Sequence, residues 1–145
     1  MKFGMKIMIA AAALALSTLA HAAGAAEVVV SKGAFHAGEH APADTASGSV
    51  SLVRLDSGRY ELRLGDDFAT TNGPDLFIYL SAAEDPTDDD AVAESDFVDA
   101  GKLGSFTGAQ SFQLPDGFDP GKFKSVAVWC KQFSVLFGAA PLAAP

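Results

Sequence analysis

The chain reads as an all-β protein, an antiparallel β-sandwich or barrel of about eight short strands. Apolar and polar residues alternate with a period of two in several runs, Gly- and Pro-rich joints separate those runs, and helical spacing is scarce. Tyr60-Glu61-Leu62-Arg63-Leu64 and Phe112-Gln113-Leu114 show the alternation most clearly.

The strands follow in order. They are expected over Glu27–Ser31, Gly48–Leu55, Arg59–Leu64, Leu76–Ser81, Phe97–Leu103, Gln110–Leu114, Ser125–Cys130 and Phe133–Phe137. Asp56-Ser57-Gly58 has the chemistry of a tight turn and joins the second and third as a hairpin. In Asn72-Gly73-Pro74-Asp75 the glycine frees the backbone and the proline fixes the angle into the fourth strand. Leu76 to Leu80 is apolar on both faces, as a central strand covered on both sides requires. Pro86–Ser95 is the one segment where a short helix fits, because acidic residues cluster near its start. The sixth strand ends at Leu114-Pro115-Asp116-Gly117, and Asp119-Pro120-Gly121 delays the seventh. Along Ser125–Cys130 the residues Val126, Val128 and Cys130 share one face and Ala127 and Trp129 the other. The valine face is the natural core face, which puts the Cys130 thiol inside and Trp129 on the opposite surface.

The N-terminus has the pattern of an export signal. Lys2 and Lys6 precede an apolar run from Ile7 to Leu19, and Ala20-His21-Ala22 supplies the small residues of a cleavage site. Residues 1–22 are therefore expected to be a signal peptide and residues 23–145 one β domain, periplasmic or secreted. The apolar run is shorter than the about 20 residues a membrane-spanning helix needs, so no span is expected after signal cleavage. Without Lys2 and Lys6 the chain keeps eight basic residues against 18 acidic ones, a formal charge of −10. Such a surface repels nucleic acid and anionic lipid.

Cys130 is the single cysteine of the chain and has no intramolecular disulfide partner. In an oxidising compartment such a thiol is sealed in a core, paired between chains, or chemically used. Free cysteine commonly behaves as a small buried hydrophobe, and burial among apolar groups makes a thiol inert. Lys131 leaves the strand on the other face, so it does not assist the sulfur. His36 and His40 are four apart, but Gly33, Gly38 and Pro42 break any helix there, and two loop histidines need not converge. If the fold brings His40 to Cys130, the imidazole and sulfur could bind copper or haem iron, or the imidazole could serve as a base for the thiol. The acidic stretch Glu84-Asp85, Asp88-Asp89-Asp90, Glu94 and Asp96 lacks the spacing of a calcium loop and reads as solvated. No nucleophile elbow, His-Glu-x-x-His, phosphate loop or dinucleotide fingerprint occurs. A redox or binding domain fits these residues better than a stand-alone enzyme does.

Four blocks together resemble the DM13 domain family. They are Gly33-Ala34-Phe35 with His40, Asn72-Gly73-Pro74-Asp75-Leu76 running into Tyr79-Leu80-Ser81, Gly108-Ala109-Gln110-Ser111-Phe112 with Leu114-Pro115, and Ser125 to Cys130 with Phe133 to Gly138. The resemblance implies an extracytoplasmic, mainly β domain, found in some animal proteins beside DOMON and b-type cytochrome modules. It also implies an electron-transfer or thiol-redox role centred on the cysteine, which maps onto Cys130 as a bare thiol or as a ligand, with haem or copper as candidate groups, or none. His40 is the second candidate ligand. The chain carries no companion cytochrome module, so a separate redox protein or a cell-surface partner is implied. The alternative is a non-enzymatic surface-binding module with a structural core cysteine.

Overall fold

In the computed structural model residues 26–145 are described, and the signal peptide expected at 1–22 lies outside them. Two antiparallel sheets form a sandwich. The first, in the order β1-β4-β5-β9, comprises β1 (Val28–Ala34), β4 (Ser49–Arg54), β5 (Tyr60–Leu64) and β9 (Gln110–Gln113). The second, in the order β2-β11-β10-β7-β8, comprises β2 (His36–Ala37), β11 (Val135–Pro141), β10 (Ser125–Cys130), β7 (Leu76–Ser81) and β8 (Phe97–Lys102). β3 (Ala46–Ser47) and β6 (Ala69–Thr70) form a small two-stranded sheet, and α1 (Asp89–Ala93) is the one helix among the described residues.

The alternation of β4 and β5 does what a half-buried sheet requires. Val50, Leu52, Leu62 and Leu64 turn inward to meet Leu76, Ile78, Leu80, Val126, Val128 and Cys130 from the other sheet in one core. β7 and β10 are central and paired in register, with Cys130 opposite Leu76 and Trp129 opposite Phe77. Every residue of β10 is buried. The other face of this sheet has its own cluster, in which Val92, the single buried residue of α1, packs with Tyr79, Ala127, Trp129, Leu136 and Ala139. Trp129 thus lies on the face opposite Cys130, as alternation dictates, but it is covered instead of surface-exposed. The Tyr79 ring stacks on Trp129 at 6.1 Å between centroids, and the short helix adds Val92 to the same cluster. Asp88 caps the helix, accepting the Ala91 N–H at 2.8 Å, and Asp89 and Asp90 follow in its first turn, where negative charge is favourable.

Two irregularities shape the region around Cys130. The β10–β11 register shifts between Val128 and Trp129, which pair with Gly138 and Leu136, so Phe137 is the extra residue of a bulge. Phe137 is nevertheless buried in the inter-sheet core. The hairpin joining β10 to β11 turns over Lys131–Ser134, with Ser134 in the left-handed region at φ 55° and Phe133 exposed at its tip.

Candidate functional site

Cys130 is the last residue of β10 and sits on the core face, only 1% exposed. Its surroundings are not sealed, however. It lines a pocket of about 290 Å³ together with Asp44, Asn72, Pro74, Phe133, Val135 and Phe137. These six companions come from three segments. Asp44 lies in the turn after β2, Asn72 and Pro74 introduce β7, and Phe133, Val135 and Phe137 belong to the β10–β11 hairpin, its strand and its bulge. The sulfur-bearing residue is thus walled by aromatic and aliphatic groups, with a carboxylate and a carboxamide as polar lining. Gly73 permits the close approach of this wall. A Cβ there would come within 2.8 Å of Leu76 Cδ2 and 2.9 Å of Phe137 Cζ.

His40 occupies a neighbouring cluster. Its Nε2 is 2.8 Å from Asp89 Oδ2 and 3.7 Å from Glu39 Oε1. The Asp89 hydrogen bond, aided by the charges of Asp89, Glu39 and Asp44, raises the His40 pKa above its ordinary value against the opposing effect of desolvation. Asp89 also accepts the Leu136 N–H at 2.7 Å through Oδ1, and Glu39 Oε1 accepts the Asp89 N–H at 3.0 Å. His40 and Cys130 are not brought into one cluster, since no histidine lines the Cys130 pocket. Asp44 is the group common to both, as it lines that pocket and acts on His40 through its charge.

His36 pairs with Asp85 through Nε2. Burial opposes its charge, but hydrogen bonds to the Ala37 carbonyl and to Asp85 outweigh that, and its pKa is raised. Lys131 indeed leaves on the face away from the pocket. Its ammonium binds Asp99 and lies 3.8 Å from the centre of the Phe77 ring, and the Asp99 bond raises its pKa. The acidic stretch is only partly solvated, because Asp85 and Asp89 are recruited by histidines and Asp88 by the helix end.

Sequence reading singled out Cys130 and His40 but not Asp44, Glu39 or Asp89 as their companions. Glu39–Asp89 and His40–Asp89 join positions about fifty residues apart. No period or motif signals such pairs. The flanking block Phe133–Gly138 was in view, and it supplies three of the seven lining residues.

The family described as "Electron transfer DM13" matches residues 34–142, a span that includes β7, β10, the Cys130 pocket and the His40 cluster. The chain belongs to the DM13 family. Neither curated proteins nor solved structures give a match. Among the described residues, no helix is long and apolar enough to cross a membrane.

Proposed function

We propose that this chain is an exported electron-transfer domain, periplasmic or secreted, whose working group is the Cys130 sulfur at the base of its pocket. One observation carries the reading: the residue is almost wholly buried, yet it faces a cleft large enough to admit a small reactant. A thiol that merely filled the core would need no such opening.

The lining argues for the thiol itself over a ligated group. It contributes one sulfur and the oxygens of Asp44 and Asn72, but neither of the two imidazoles of a blue-copper site. At about 290 Å³ the pocket is at the lower bound of ligand sites, too small to enclose a porphyrin. The chemistry that fits is thiol–disulfide exchange. The Cys130 thiolate attacks one sulfur of a partner's disulfide, a mixed disulfide forms, and the partner's other sulfur leaves as a thiolate. With a single cysteine in the chain, resolution requires a second thiolate from outside, which attacks the mixed disulfide and returns Cys130 reduced. The partner is therefore a separate redox molecule. The walls of Phe133, Val135, Phe137 and Pro74 select slender reactants over bulky ones.

The test is to incubate the folded protein with oxidised glutathione and follow its intact mass. The reading expects a single glutathione adduct in native buffer, reversed by a reductant and absent from Cys130→Ser. An adduct that appears only after unfolding would overturn it and leave the surface-binding module with a structural cysteine.

A further inference from the structure

We infer that Glu39, His40 and Asp89 form a binding site for a divalent cation of the zinc type, separate from the Cys130 pocket. The inference does not depend on the redox reading. One donor atom from each of the three side chains lies within 4.8 Å of the other two. Two donors bound at about 2.0–2.2 Å to one tetrahedral or octahedral ion stand roughly 3.0–3.5 Å apart. The separations of His40 Nε2 from Asp89 Oδ2, 2.8 Å, and from Glu39 Oε1, 3.7 Å, bracket that spacing. The third separation, between the Glu39 and Asp89 oxygens, is within 4.8 Å, so a cation can draw the three donors together with side-chain shifts on the order of an ångström.

The carboxylates are held for this arrangement by the backbone. Leu136 N–H donates to Asp89 Oδ1, which leaves Oδ2 directed at the imidazole. Asp89 N–H donates to Glu39 Oε1, and Glu39 N–H in turn donates to the Thr87 carbonyl at 2.9 Å. The three ligands thus sit on two segments already bound to each other and to β11, so little ordering is required on binding. Exposure is also suitable. The side chains of His40 and Glu39 are 36% and 48% exposed, so an ion can enter and water can complete its coordination. A mixed imidazole and carboxylate set suits zinc and its neighbours better than calcium or magnesium, which take oxygen alone.

Isothermal titration of the metal-free protein with zinc chloride tests the site, with cobalt(II) as a spectroscopic substitute. Expected are one ion per chain, a loss of affinity of about tenfold or more in both His40→Ala and Glu39→Gln, and unchanged affinity in Cys130→Ser. Cobalt should give a visible band without thiolate charge transfer. Glu39→Gln, at an exposed side chain, guards against a folding defect in His40→Ala, which far-ultraviolet circular dichroism would reveal. Absence of zinc binding in the wild-type chain would overturn the inference, as would binding that persists in both variants. Loss of binding in Cys130→Ser, or a cobalt–thiolate band, would overturn it by moving the metal to the pocket.

Discussion

Replacing Cys130 by serine and, separately, by alanine distinguishes a thiol that faces a pocket from one sealed in a core. Cys130 packs in the inter-sheet cluster with Leu76, Val128 and Phe137. Alanine removes one sulfur and leaves a void on the core side, a loss of about 1 kcal/mol at the scale of one buried methylene. Serine fills only a small part of that void and introduces a hydroxyl. In a closed apolar core that hydroxyl would be unpaired and would cost about 1–3 kcal/mol. In this fold the same position opens on a pocket with Asp44 and Asn72 in its lining, where the hydroxyl can bond to water or to those groups. Serine is therefore expected within about 1 kcal/mol of alanine, with the slope of urea unfolding unchanged. For slopes of about 1–3 kcal/mol/M, the two midpoints should differ by less than about 1 M. A serine variant less stable than alanine by 2–3 kcal/mol, roughly the unpaired-hydroxyl penalty, would refute the reasoning.

Three further outcomes follow from the packing. Val92→Ala removes two methyl groups from the only buried residue of α1 and should destabilise the domain by about 2 kcal/mol, read from the urea midpoint. A change below about 0.5 kcal/mol would show that the helix does not pack on this face of the sheet in solution. Gly48→Ala should cost more than about 2 kcal/mol, because φ is +99° and a Cβ would lie 2.5 Å from the Asp67 carbonyl oxygen. A neutral Gly48→Ala result would contradict that backbone geometry. His36, with its raised pKa, stabilises the fold fully below its unfolded value of about 6.5, and the contribution is lost as pH rises through the folded value. The stability gap between wild type and His36→Gln should therefore shrink with rising pH, and a gap that widens would remove the Asp85 pairing as its source.

Much of the fold was legible where the side-chain period was strict. β7 and β10 run over the expected residues, Leu76–Ser81 and Ser125–Cys130, since an unbroken apolar run bounded by turn residues admits few other readings. β11 was harder. It was expected over Phe133–Phe137 and runs over Val135–Pro141, because the hairpin turn takes Phe133 and Ser134. Its second half is Gly138-Ala139-Ala140, residues with weak strand preference that are small because the space is small: a Cβ on Gly138 would lie 2.7 Å from the His36 carbonyl oxygen. The two-residue strands β2, β3 and β6 are too short to show any period. At the site, Cys130 stood out in the sequence as its single cysteine, whereas its pocket and the Glu39–His40–Asp89 cluster depend on long-range register and loop closure.

The rate of Cys130 alkylation by iodoacetamide in native buffer tests the central claim most directly. If the sulfur reacts through its pocket, the rate should be no more than about a hundredfold below that of an unfolded-chain thiol, and nearly independent of urea below the unfolding transition. A thiol exposed only by global unfolding, with a stability of at least about 5 kcal/mol, would react more than about a thousandfold slower, and its rate would rise with urea along the full unfolding slope. The first result is the one predicted by a working thiol at the base of an open pocket, and the second would contradict it.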